Sequence, residues 1–312
     1  MSGFLIQSRI GTKGNFEVVL PGPDGGLVYV SRDNDVASLP WSSPITFATS
    51  VGQFSGTSLI ESRFGDPPGN LEVVAVARNQ LFHFWRDESG KWSDPGLLIA
   101  ENVNGMPGLI QSNGMNGNFE VVVPAADRGL IHVSRNNSAK NFPWSSPTNF
   151  CASLGQISGV SLIQSNLRAN PGSLEVVAIP QRGGCFAHLS RTEEFGWNEP
   201  TIVPGEIFHG APGLIQSRLG DQRNFEVVVP NGLAFGVSHF WRDNAAPNVP
   251  WKYGTTFGDQ VQVIATSLIE SNFGDVGNLE VVAASMFWTH AFHVSRNDEA
   301  QGFPWSSPTI LY

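Results

Sequence analysis

The chain has 312 residues, of which 34 are glycine, 21 are proline and only 14% are charged. That balance speaks against long helices and for many short strands joined by tight turns, with enough length to bury a sizeable apolar core. The formal charge of −9, without any cluster of Lys or Arg, argues against a nucleic-acid groove or an anionic-membrane patch.

The chain opens directly into Phe4-Leu5-Ile6. There is no basic n-region or long apolar h-region, and no stretch nears the roughly 18 apolar residues of a membrane span. The expectation is a cytoplasmic protein, or one exported without a classical signal peptide, with no membrane insertion.

Leu-Ile then returns at Leu59, Leu109, Leu162, Leu214 and Leu268, a period of roughly 52 residues. Each copy is followed by the same three segments. In the second they are Asn70-Leu-Glu-Val-Val-Ala75, Leu81-Phe-His-Phe-Trp-Arg86 and Trp92-Ser-Asp-Pro95. All are short, rich in β-branched or aromatic residues, and bounded by Gly, Asn, Asp or Pro. Nowhere does a 3.6-residue apolar period persist, so essentially no helix is expected.

The predicted fold is therefore all-β: a single six-bladed β-propeller over 1–312, with four antiparallel strands per blade. Its repeats span approximately 3–55, 56–106, 107–158, 159–211, 212–264 and 265–312. We label the strands A to D from the axis outward. Proline recurs in D at Pro44, Pro95, Pro147, Pro200 and Pro308, with Gly254 in the fifth copy. Proline cannot donate to a ladder, which places D at the outer edge. With A first and D last, the ring closes without a swapped strand.

Cys151 and Cys185 fall in neighbouring repeats and do not recur. They are expected to be free, buried thiols, a weak sign of a reducing compartment.

The ends of A and C and the starts of B and D share one rim, where the recurring polar residues gather. The glutamate occurs in all six copies, as Glu17, Glu72, Glu120, Glu175, Glu226 and Glu280. So do the arginine (Arg32, Arg86, Arg135, Arg191, Arg242, Arg296) and the tryptophan (Trp41, Trp92, Trp144, Trp197, Trp251, Trp305). Histidine occupies its place five times, as His83, His132, His188, His239 and His293, with Tyr29 in the first copy. Two explanations stand side by side. In one, Glu pairs with Arg of a neighbouring strand, Trp wedges blades apart and His is a satisfied core residue. In the other, clefts between blades offer carboxylate and guanidinium to the hydroxyls or acetamide of a sugar, and an aromatic face to the apolar side of its ring. Six weak sites on one ring would then gain strength by multivalency.

These segments, together with the Asn-Phe-Glu-Val-Val-Val and Phe-Pro-Trp-Ser-Ser-Pro variants, resemble tectonin-like propeller lectins. They are similar also to propeller lectins of the Photorhabdus type and to mushroom lectins of the Agrocybe aegerita type. The resemblance spans the chain and implies a non-enzymatic, multivalent lectin, monomeric or a small homo-oligomer. It implies glycans or glycoproteins with terminal N-acetylglucosamine as partners, with fucose as the alternative ligand. The Glu, Arg, His, Tyr29-equivalent and Trp positions carry over by repeat position. Trp85 and Trp241 stand where Ser31, Ser134, Ser190 and Ser295 stand elsewhere, and Ser173 replaces the asparagine before the fourth glutamate.

A glycosidase would need one asymmetric site with two carboxylates, and the sialidase Asp-box spacing fails after Asp87 and Gly90. A protein-interaction scaffold of the WD-repeat kind lacks its Gly-His and Trp-Asp signatures. The Gly-Asp loops lack the alternating oxygens of a calcium site, and the histidines lack zinc spacing. No cofactor or metal is expected.

Overall fold

The computed structural model describes every residue except Met1, Met115, 168–171, Glu193, Phe195, Glu206, Leu233, Ala234, Pro247, Asp259, Gln260 and Tyr312. It is a six-bladed β-propeller, with six separate antiparallel sheets of consecutive strands. The first blade runs Leu5–Gln7, Phe16–Pro21, Leu27–Arg32 and Ile45–Phe47, and the sixth ends at Thr309–Ile310. No strand is swapped between them. Among the described residues helix is confined to three 3-10 turns, Thr49–Val51, Ala152–Leu154 and Met286–Trp288.

The B strands, such as Leu71–Ala77 and Leu174–Pro180, are apolar on both faces and wholly buried. Valine and isoleucine suit a strand covered on both sides. Six apolar clusters hold the ring together. One joins Val19, Leu27 and Phe47 of the first blade to Leu59, Val73 and Phe84 of the second. Another closes the ring between Phe4 and Phe16 of the first blade and Ile269 and Val282 of the sixth. Most stabilising burial therefore lies between blades rather than within one sheet.

The D strands are the exposed outer edge, as the prolines predict. The tryptophan, however, is not continuous with D in most blades. It makes a lone bridge to the arginine of C, as in Arg135 with Trp144. The proline then interrupts pairing before D proper begins at, for example, Thr148–Phe150. Only the fifth blade, with Gly254 for proline, runs unbroken from Trp251 to Phe257. A Cβ at Gly254 would stand 2.6 Å from His239 Nδ1, so this strand requires glycine there.

Around the axis the A strands alternate in a way the repeat did not disclose. Gly56–Glu61, Ile157–Gln164 and Val263–Glu270 are long, whereas Leu5–Gln7, Gly108–Gln111 and Gly213–Gln216 are short. The hydroxyls of Ser58, Ser161 and Ser267 in the long strands accept the backbone N–H of Leu109, Leu214 and Leu5 in the next short one. The other three junctions are closed by backbone bonds, such as Leu59 N–H to the Gly3 carbonyl, so two kinds of junction alternate around the ring. Ser2 lies across the axis and is buried, donating or accepting at Ser161 Oγ and accepting the Leu162 N–H.

Both cysteines are free, but they are half-buried rather than buried. Cys151 sits just after an outer-edge strand with φ of 52°, and Cys185 begins a C strand at the blade's far turn. Cys151 packs at the margin of the cluster between the third and fourth blades, which leaves it partly covered.

Candidate functional site

Residues two apart on a strand share a face. In the second blade Glu72 lies opposite Trp85 on C, and His83 stands two residues along from Trp85. All three face the third blade. That blade answers with Phe119, Arg135 and Trp144, cross-strand neighbours on B, C and the start of D. Every junction is therefore asymmetric: acid and imidazole come from one blade, guanidinium and indole from the next.

The glutamates are anchors. Ser62 Oγ donates to Glu72 Oε1 at 3.0 Å, and His83 Nε2 donates to Oε2 at 2.8 Å. The histidine bond recurs for His132 with Glu120 at 2.8 Å and for His188 with Glu175 at 3.1 Å. It recurs again for His239 with Glu226 and His293 with Glu280, both at 2.7 Å. In the first blade Tyr29 Oη donates to Glu17 at 2.6 Å. The partner within the sheet is therefore His or Tyr rather than Arg. Burial raises the Glu17 carboxyl above its ordinary value, against the opposing bonds from Tyr29 and Ser8, and the same burial pushes the Tyr29 hydroxyl up. Five of the six glutamates are almost fully enclosed, and Glu120 is half-buried.

The arginines cross from the neighbouring blade. Arg242 Nη1 donates to His188 Nδ1 at 3.3 Å, which fixes the neutral tautomer with its proton on Nε2, toward Glu175. Arg296 Nη1 lies 3.9 Å from Glu226 Oε2. Arg32, Arg135 and Arg242 are pushed below the usual guanidinium range by burial, with Glu280, Glu72 and Glu175 of the preceding blades opposing that shift. Each lies over the phenylalanine of its own B strand, at 3.8 Å for Arg135 on Phe119. Their Nε atoms donate to Asn34, Asn137 and Asn244, while Arg296 uses both η and ε nitrogens on Asp298. Arg86 instead donates to the Gly90 carbonyl, and Arg191 is half-buried in a blade whose loop falls partly outside the described residues.

The tryptophans meet the imidazoles edge-on, and three also stack on an outer-strand phenylalanine, as Trp305 does on Phe257 at 3.9 Å. They are therefore wedges between blades. Yet the indole N–H groups of Trp92, Trp144, Trp251 and Trp305 are buried and find no partner among the described residues. So do the Oδ1 atoms of Asn70, Asn224 and Asn278, the asparagines before the B-strand glutamates. A buried polar atom without a partner is unusual enough to require a reason.

Two cavities supply it for Asn70, Asn224, Trp144 and Trp305. One, of about 310 Å³ between the second and third blades, is lined by Asn70, Glu72, His83, Trp85, Arg135, Phe142 and Trp144, among others. Another, of about 460 Å³ between the fifth and sixth, is lined by the matching Asn224, Glu226, His239, Trp241, Arg296, Phe303 and Trp305. Both volumes fit a small ligand. The sequence-derived Glu, His, Arg and Trp thus converge on shared clefts, with Glu and His as their floor. Sequence reasoning missed the lip: Phe142 and Phe303 are about half exposed, with φ of 47° and 49°. Leu39 and Val249 hold the same place before Pro40 and Pro250. Bulky residues in the left-handed region are rare and concentrate at functional sites. The signal was an apolar residue preceding Pro-Trp.

No known family profile matches the sequence, and no curated protein sequence matches it. Solved structures do resemble the fold. The BP39L lectin of Burkholderia pseudomallei matches with a TM-score of 0.65 at 16% identity, covering 99% of this chain and 83% of its own. An N224Q variant of the Aleuria aurantia lectin, in complex with α-methyl-L-fucoside, matches with a TM-score of 0.65 at 13% identity, covering 99% and 97%. A GH43 β-1,3-galactosidase matches with a TM-score of 0.53 at 10% identity, covering 82% and 58%. At these identities the likeness establishes the fold that the chain shares with them.

Proposed function

We propose that the protein is a multivalent, non-enzymatic lectin that takes one terminal sugar in each competent cleft between adjacent blades. The observation that carries this is the pairing, in both cavities, of a buried unpartnered donor (Trp144 or Trp305 Nε1) with a buried unpartnered acceptor (Asn70 or Asn224 Oδ1). These stand beside aromatic walls and a fixed guanidinium, the small set of polar groups that orients a carbohydrate. The fold shared with lectins supports the same reading.

Terminal N-acetylglucosamine is our first choice of ligand. Its acetamide presents an N–H and a carbonyl together, answering the asparagine oxygen and the indole N–H, and its methyl group suits the aromatic lip. Fucose is the second choice, favoured by the fucoside held in the structurally similar Aleuria aurantia lectin. Catalysis fits poorly. Each cavity contains one carboxylate, Glu72 or Glu226, and that one is committed to a histidine, whereas glycoside hydrolysis uses a pair about 5–9.5 Å apart.

A glycan array decides the matter. Signal on glycans ending in N-acetylglucosamine supports the first choice, and signal on fucosylated glycans alone transfers the assignment to fucose. An array without signal defeats the lectin reading. Turnover of a chromogenic glycoside would defeat its non-enzymatic part.

A further inference from the structure

The six junctions are not equivalent, and their differences co-vary. On the acid-and-imidazole side, the C-strand residue over the cleft is Trp85 or Trp241 in the second and fifth blades and serine in the others. On the opposite lip, the residue two before the cleft tryptophan is Phe142 facing Trp85 and Phe303 facing Trp241. No other junction has both aromatics. The sixth-to-first junction has Ser295 with Leu39, and the fourth-to-fifth has Ser190 with Val249. The first-to-second has Ser31 with Gly90; the third-to-fourth has Ser134 with Phe195, which lies outside the described residues.

The asparagine before the glutamate also differs from blade to blade. The Oδ1 atoms of Asn15 and Asn118 are taken by the backbone N–H of Asn34 and Asn137, and the fourth blade has Ser173 instead. Asn70, Asn224 and Asn278 keep that oxygen unpartnered, and of these Asn70 and Asn224 line the cavities described above. The aromatic walls are also presented rather than packed away, since Trp85 is 38% and Phe142 45% exposed. In the fifth blade Lys252 Nζ lies 4.4 Å over the Trp241 ring and braces it.

Resting on the lectin reading, we propose that these two clefts form a separate class of tight site, with Trp85 and Trp241 as its affinity-determining residues. A saccharide there is held between two aromatic faces and one free acceptor, where the remaining clefts offer one face at most. The two junctions are three blades apart in a ring of six, so the tight sites lie across the axis from each other on one rim. That arrangement suits two-point attachment to a clustered glycan surface.

The test is calorimetric titration of the whole chain with methyl N-acetylglucosaminide and, separately, methyl α-L-fucoside. It compares wild type with Trp85→Ser, Trp241→Ser and the double variant. Serine stands at this position in four blades, so the variants should melt with the wild type, which serves as the folding control. The expected result is a tight class of two sites per chain, about tenfold stronger than the rest, equal to about 1.4 kcal/mol. Each single variant should reduce that class to one site, and the double variant should leave only weak binding. One uniform class, or a tight class that survives in the double variant, overturns this proposal while leaving the lectin reading intact. Binding of neither glycoside overturns both.

Discussion

His83 of the second blade and Trp144 of the third meet edge to face, with ring centroids 5.5 Å apart and planes at 69°. The same meeting recurs from blade to blade, as His188 with Trp251 and His293 with Trp41. Tyr29 takes the part of histidine against Trp92. One contact thus does two jobs: it seats neighbouring blades and, for Trp92, Trp144 and Trp251, holds a buried indole N–H that has no partner among the described residues.

Separating those jobs gives the first prediction. Trp144→Phe keeps a ring against His83 but removes the five-membered part of the indole with its N–H, which has no partner among the described residues. Stability should fall by about 1–2 kcal/mol, from the smaller ring at the wedge and not from any lost protein hydrogen bond. Sugar binding in that cleft should weaken about tenfold. Thermal melting and calorimetry together check it; a large melting loss with unchanged binding would make the residue a wedge alone.

The glutamates should behave in the opposite way. Glu72→Ala strips Ser62 and His83 of their shared acceptor inside the sheet and should destabilise the chain by about 1–3 kcal/mol. Denaturant unfolding measures this, and a variant as stable as the wild type would remove the anchoring role.

Glu17 makes a pH prediction. Its folded carboxyl is raised above the ordinary 4.5 chiefly by burial. Folding therefore favours the protonated acid, and that contribution is complete below 4.5 and lost as pH rises through the folded value. Glu17→Gln, which mimics the protonated form, should gain in melting temperature relative to wild type between pH 4 and pH 7. A gap that stays constant across this range contradicts the assignment.

At the axis, Gly210 has φ of 75°, and a Cβ there would lie 1.8 Å from the Ile264 carbonyl oxygen of the next blade. Because that neighbour is backbone, it cannot swing aside. Gly210→Ala should destabilise by more than about 1 kcal/mol, read as a drop in melting temperature, and an unchanged melting point would disprove the close approach.

Much of this was legible in the repeat. Leu-Ile, Asn-x-Glu, His-x-x-Arg and Trp recur at one period, so strand order, the outer placement of D and the shared rim followed from period-two strands and proline chemistry. Which blade supplies each cleft's guanidinium did not. Glu72 and Arg135 belong to different repeats, and only the ring brings the third blade's arginine to the second blade's acid. The left-handed Phe142 and Phe303 were hidden because sequence registers their apolarity but not their backbone. The alternation of junctions was hidden because it rests on Ser58, Ser161 and Ser267 reaching the next blade's backbone at the axis, a contact between repeats.

The most direct test of the central claim is a ¹H–¹⁵N spectrum of the indole N–H groups during titration with methyl N-acetylglucosaminide or methyl α-L-fucoside. The account predicts that the Trp144 and Trp305 resonances shift saturably with one of these sugars, as their buried N–H groups gain an acceptor. Indole resonances that stay in place while the protein demonstrably binds the sugar would put the ligand somewhere other than between the blades.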